Sequence, residues 1–194
     1  ENMRVAAEVE DIVRSRGAVP ATIAMLEGRI HVGLNESELE AVATRDDVVK
    51  TSIRDLATVA ARKGFAATTV AATSHLANLV GIRVFATGGL GGVHRHARES
   101  WDESADLTAL SQIPITIVCS GVKSILDVGA TLERLETLNV GVVVFGSQDF
   151  PGFYLSESGF TVDWSLDDPA DIADVMATRR QLNVKSGLVI AHPL

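Results

Sequence analysis

The chain has 194 residues, 46% of them hydrophobic and 22% charged, and a net charge of −8. This is globular composition, long enough for a sizeable core, and its acidic balance excludes a general nucleic-acid or membrane-surface binder while leaving room for a small anion held by local cations. The single cysteine, Cys119, excludes an intramolecular disulfide and a CxxC zinc site, and no run reaches the ~18 apolar residues of a membrane span.

In chain order, apolar positions at Val5, Ala6, Val9, Ile12 and Val13 make a helical stripe over residues 3–15, stopped by Gly17. VPATIAML and RIHVGL flank EGR and read as a hairpin. Asn35, with Glu38 after it, starts a helix over NESELEAVAT. VVKTS is a short strand entering a loop, and IRDLATVAARKG is a helix ended by Gly64. AATTVAAT reads as a strand, SHLANLVG as a helix from Ser74 to Gly81, and IRVFATGG as an apolar strand. ADLTALSQ is a short helix, IPITIVCSG a strand with Cys119 as a buried small hydrophobe, and SILDVGATLERLETLN a helix or a pair of helices. VGVVVFGS is a buried-type strand, PADIADVMATRRQLN a helix with Pro169 in its first turn, and SGLVIAHP the last strand.

Apolar strands alternating with helices predict one α/β domain over residues 1–194: a mostly parallel sheet with helices on both faces, an α/β/α sandwich. Ligands in such sheets bind beyond the carboxyl ends of the strands, so chemistry is expected in the loops after VFATGG, TIVCSG and VVVFGS. The N-terminal segment is amphipathic and of mixed charge, unlike a signal peptide, which predicts a soluble cytoplasmic protein. The chain opens inside a helical pattern without a start Met and stops just after an apolar run, so both ends read as cut.

The densest stretch is TGGLGGVHRHARESWDESADL, residues 87–107. Its glycines let backbone approach a ligand closely and turn N–H groups toward an anion. Their spacing is not GxGxxG and no apolar helix follows, so the dinucleotide fingerprint is not met. His94 and Arg95 read equally as anion ligands or as solvated surface groups, whereas His96 and Arg98 read as solvated. Asp102 and Asp106 would share a helical face and offer hard oxygen ligands to a divalent cation; otherwise Ser104 or Asp106 caps the helix that follows. Lys123 lies after a strand and before a helical pattern. Desolvation and a helix N-terminus would both favour its neutral amine, the form a Schiff-base lysine needs; the alternative is a snorkelling surface lysine. Lys50, at another strand end, carries the same two readings.

GAVPATIAMLEGRIHVGL, TTVAATSHLANLVGIRVFATGGLGGVHRHA, DESADLTAL and CSGVKSILDVGATLERLETL together resemble the pseudouridine-5'-phosphate glycosidase family, also called indigoidine-synthase-A-like, in order and through nearly the whole chain. The resemblance implies reversible cleavage of the C–C glycosidic bond of pseudouridine 5'-phosphate to uracil and ribose 5-phosphate. It assigns Lys123 as the Schiff-base nucleophile and Asp102 as the ligand of a divalent metal, usually manganese, in a mainly water-filled shell. It places Lys50, Val70, Ser104, Ala105 and Asp106 against substrate, with Thr87 and His94 toward the phosphate and Asp106 as a polar or proton-shuttling group. It further implies a small-molecule nucleotide substrate, no nucleic-acid or membrane partner, and a homotrimer.

The same resemblance marks this chain as the central portion of a longer enzyme. The family's general-acid glutamate lies ahead of Glu1, and the family continues past Leu194. His192 stands where an asparagine is common in the family. An alternative expectation is therefore a catalytically incompetent piece that keeps the fold and the oligomer.

Overall fold

The structure is a computed structural model that describes residues 2–193; Glu1 and Leu194, where the expectation of cut ends falls, lie outside them. Where the pattern reads as one domain, the chain divides into two compact units, the first ending at Leu76 and the second starting at Ala77. Each has its own sheet.

The first unit contains α1 (Asn2–Ser15), β1 (Ile23–Leu26), β2 (Arg29–Val32), α2 (Glu36–Thr44), β3 (Val48–Thr51), a 3-10 turn over Ile53–Asp55, α3 (Leu56–Ala61) and β4 (Phe65–Thr68). Its sheet runs β2-β1-β4-β3, with β1 antiparallel to both neighbours and β3 parallel to β4. The hairpin turns on Glu27 and Gly28, both at positive φ (51° and 76°), the geometry that matches a right-handed strand twist. All four residues of β1 are buried, as befits a strand paired on both sides. Asn35 caps α2 as expected: its Oδ1 accepts from the Glu38 N–H at 2.9 Å, and the Glu38 carboxylate accepts from the Asn35 N–H at 2.9 Å.

The run AATTVAAT is not a strand throughout. β4 ends at Thr68 and α4 (Val70–Leu79) begins four residues before the expected Ser74. Thr69 makes the break: its carbonyl accepts from the Thr73 N–H at 2.8 Å and its hydroxyl from the Ala72 N–H at 3.3 Å. The fully buried Ala71 and Ala72 then suit a helix better than the preceding threonines suit a longer strand.

The second unit contains β5 (Val84–Ala86), α5 (Ala97–Ser100), α6 (Ala105–Gln112), β6 (Thr116–Cys119), α7 (Val128–Thr137), β7 (Gly141–Phe145), β8 (Ser165–Leu166), α8 (Pro169–Gln181) and β9 (Leu188–Ala191). Its five strands run β5-β6-β9-β7-β8 and every pair is parallel, so the expected parallel sheet flanked by helices is the architecture of this unit. β9, last in the chain, is central and wholly buried. Ile172, Val175 and Met176 of α8 pack on Val143, Leu188 and Ile190. Leu107 and Leu110 of α6 and Leu135 of α7 are also fully buried, each contributing about 1.5–3 kcal/mol by burial. The longer helix expected from Ser124 starts only at Val128, where Asp127 Oδ1 accepts from the Ala130 N–H at 2.9 Å. Pro169 starts α8, as expected, and Asp168 caps it, its Oδ1 accepting from the Ala170 N–H at 2.8 Å.

Cys119 is 3% exposed, and burial pushes its thiol up to about 11. A raised thiol pKa leaves little thiolate at pH 8, so native protein should resist iodoacetamide until it is unfolded. Alkylation of native and urea-unfolded protein at the same rate, read by intact mass, would contradict this burial.

Candidate active site

The ladder between β5 and β6 does not stop at the strand ends. Thr87 N–H donates to Val118 O at 2.9 Å, Ser120 N–H to Gly88 O at 2.8 Å, Leu90 N–H to Gly121 O at 2.9 Å, and Lys123 N–H to Leu90 O at 3.4 Å. The glycine run is thereby stitched beside the segment that ends in Lys123, at the carboxyl end of the sheet. Gly121 allows this course, with φ at +84° and no room for a side chain in front of the Pro151 carbonyl.

The glycines make room for side chains rather than for an anion alone. The Phe153 ring covers Gly88 and Gly89, where an added Cβ would meet it at 2.9 and 2.6 Å. At Gly91 a Cβ would run into Ser104 and Asp106, and the Gly91 N–H, expected to face a ligand, donates instead to Asp106 Oδ2 at 3.0 Å. Thr131 stands against Gly92, and its hydroxyl accepts from the Val93 N–H at 2.9 Å.

Beyond Gly92 the chain makes a closed loop. Ser104 N–H donates to Gly92 O and His94 N–H to Asp102 O, both at 3.0 Å, with α5 between. His94 Nδ1 comes to 3.5 Å from Asp102 Oδ2, and both side chains are about half exposed, 47% and 59%. Ser104 is the cap of α6, its Oγ accepting from the Asp106 N–H at 3.2 Å; of the two capping readings, this is the one adopted. Ala105 is exposed, whereas Asp106 is 6% exposed. Thr87 precedes the glycine run and His94 follows it; Ser104, Asp106 and Lys123 are hydrogen-bonded to it, Asp102 is hydrogen-bonded to His94, and Ala105 lies between Ser104 and Asp106. The Arg95 guanidinium donates to Ser124 O at 3.0 Å and so fastens the turn after Lys123, while His96 and Arg98 are exposed, as expected of solvated groups.

Lys123 departs from expectation in its surroundings. It is exposed, and a turn closed by the Leu126 N–H on Lys123 O at 2.9 Å separates it from α7. Neither the dry pocket nor the adjoining helix end invoked for it is present in the described residues. In the first unit, exposed Lys50 lies near the end of β3, and half-buried Val70 is the first residue of α4. The Thr69 N–H donates to Thr51 O at 3.0 Å, which sets both at the carboxyl end of β3 and β4.

No group of three or more His, Cys, Asp or Glu side chains forms a metal cage among the described residues. The donor set at Asp102, one exposed carboxylate beside an imidazole, fits a hard cation held mainly through water and does not fit a protein-caged one. Phe153 and Thr131 were not found by reading the sequence. Phe153 has φ at +65° after Pro151 and Gly152, a turn signal visible in sequence; Thr131, inside a helix, gives none.

The family described as indigoidine synthase A like protein matches residues 1–194. The chain is 60% identical over 195 residues to a pseudouridine-5'-phosphate glycosidase of Salinispora tropica, covering 100% of this chain and 60% of that one. It is 54% identical to a pseudouridine-5'-phosphate glycosidase of a Nocardioides species, covering 100% and 63%. Among solved structures it is similar to the prealnumycin C-glycosynthase AlnA in complex with ribulose 5-phosphate, with TM-score 0.93, 37% identity, and coverage of 97% of this chain and 62% of that one. An indigoidine synthase A-like protein of Thermotoga maritima also superimposes with TM-score 0.93 at 37% identity, covering 98% and 64%. The chain spans 60–63% of the length of these two curated relatives.

Proposed function

The chain belongs to the indigoidine synthase A-like protein family, and from that premise we propose that it carries the sugar-phosphate chemistry of a pseudouridine-5'-phosphate glycosidase. The reaction is reversible cleavage of the C1'–C5 bond, giving uracil and ribose 5-phosphate. The observation that carries this reading is the ladder that fixes Lys123 beside the glycine run holding Ser104 and Asp106.

A carbanion on uracil is a poor leaving group, so the bond needs an electron donor at C1', a nitrogen whose lone pair takes up the positive charge left there as C5 is protonated. The Lys123 nitrogen attacks C1' and displaces the ring oxygen, which takes up the proton the nitrogen gives up as the ribose opens. The C1'–C5 electron pair then departs with uracil, C5 is protonated, and the nitrogen lone pair forms the C1'=N iminium. Water adds to the iminium and releases ribose 5-phosphate and the free amine, so one water is consumed overall. Asp106, whose Oδ2 accepts from the Gly91 N–H, is assigned to move a proton at the sugar, and Ser104 and Ala105, at the start of α6, to touch substrate. Thr87 and His94 are assigned to the phosphate, and Lys50 and Val70 to substrate. Asp102 would hold a divalent cation such as manganese, mainly through water, and the cation would supply positive charge to the bound substrate.

Uracil and ribose 5-phosphate appearing in equal amounts from pseudouridine 5'-phosphate and manganese would support this function; an inert substrate would favour a second reading. That reading, a chain that keeps fold and assembly without turnover, is favoured by the exposure of Lys123. The homotrimer and a cytoplasmic location belong to the same proposal; a sedimentation mass three times that of the chain is expected. Among the described residues, no helix is long and apolar enough to cross a membrane.

For the metal, Asp102→Ala should weaken manganese binding by about tenfold or more, read by titration of free manganese with electron paramagnetic resonance. An unchanged titration would remove Asp102 as the ligand.

A further inference from the structure

At the amino-terminal end of the parallel sheet, where β5, β6 and β9 begin, the second unit has a cleft of about 530 Å³. Lys123 and Asp102 follow the carboxyl ends of strands of the same sheet, so this cleft is at the opposite edge. Four cations line it: Arg83 before β5, Arg179 and Arg180 in the last turn of α8, and Lys185 before β9. Among the described residues no Asp or Glu lines it, in a chain whose net charge is −8. None of these four cations forms an ion pair among the described residues.

Cations gathered at helix ends have an ordinary explanation, because carboxyl ends carry partial negative charge. Here α4, α6 and α8 end near the cleft, and each end is worth roughly half a negative charge. Together they offset less than half of four full positive charges, so a surplus faces the cavity. Its base is already built: Arg179 donates to Ser186 O at 2.8 Å, Ser186 Oγ at 3.2 Å and Gly187 O at 2.8 Å, which fixes a permanently charged guanidinium. Arg83, Arg180 and Lys185 are exposed around it. Ile82, Met176 and Val184 add an apolar wall.

We infer that this cleft is a second ligand site, for a phosphorylated small molecule that also carries an apolar or aromatic part, the class to which nucleoside monophosphates belong. The volume falls within the about 300–1,000 Å³ typical of small-molecule sites. The basic rim takes the phosphate through charge-assisted hydrogen bonds, and the apolar wall takes the base. The site does not depend on catalysis at Lys123.

Adenosine 5'-monophosphate is the probe, with binding measured by calorimetry and mapped by amide hydrogen exchange. The expected footprint covers residues 82–84 and 179–187. The double variant Arg180→Glu, Lys185→Glu should weaken binding by about tenfold or more, whereas Lys123→Ala should leave it unchanged. Arg83→Glu, on another element, should weaken the same footprint and keeps the test decisive if the double variant does not fold. Protection confined to residues 87–106 and 120–124, unchanged affinity in the rim variants, or inorganic phosphate binding as tightly as the nucleotide would each overturn the site.

Discussion

Lys123→Ala is expected to abolish both uracil release and covalent capture of ribose 5-phosphate, with turnover falling by a factor on the order of 10⁴ or more. On the proposed assignment no other lysine should replace it, since the iminium forms on the amine that attacks C1'. The fold should survive, because the side chain is exposed and the segment is held by backbone bonds to the Leu90 carbonyl and from the Leu126 N–H. Lys123→Arg keeps a long basic side chain and removes the nucleophile, so it should be equally dead. Turnover retained in either variant, with an unchanged melting temperature, would move the chemistry to another residue.

Gly121→Ala should produce the largest loss of stability. The left-handed backbone at φ +84° costs an alanine about 1–2 kcal/mol. Its methyl group would also be driven into the Pro151 carbonyl, a rigid backbone neighbour, which adds about 1–3 kcal/mol. Gly146→Ala separates the two effects, since Gly146 has φ +74° with nothing within 4 Å of an added Cβ. Urea unfolding should therefore show a loss of about 2–5 kcal/mol for Gly121→Ala and about 1–2 for Gly146→Ala. Equal losses would mean that the Pro151 contact does not constrain the Lys123 segment.

Much of the second unit is legible in its sequence because continuous apolar runs have few alternatives to a buried parallel strand. TIVC, GVVVF and LVIA each became one. Helix starts with a side-chain acceptor in place, Asn35, Ser104 and Asp168, were legible for the same local reason. The start of α4 was not, because TTV favours extended backbone locally and buried alanines decide the matter through packing. The pairing into two sheets was hidden too: apolar runs show that strands exist without showing which ones share a ladder.

The candidate site divides along the same line. That the glycine run and Lys123 belong together follows from two strand ends, and the structure joins them by hydrogen bonds. What the glycines accommodate, the ring of Phe153 and the side chains of Ser104, Asp106 and Thr131, depends on segments up to about sixty residues away and no local pattern encodes it. Position at a strand end likewise places a lysine's backbone without saying what covers its amine, which is why the sequence leaves Lys123 between a desolvated amine and a surface lysine, and it is exposed in the described chain.

The measurement closest to the central claim is borohydride trapping with ribose 5-phosphate and manganese, read by intact mass and peptide mapping. A single reduced adduct on Lys123, absent from Lys123→Ala, is the expected result and shows nucleophile and sugar-phosphate site working in this chain. An adduct on Lys50 or another lysine, or none while the melting curve is unchanged, would contradict the assignment of Lys123 as the Schiff-base residue.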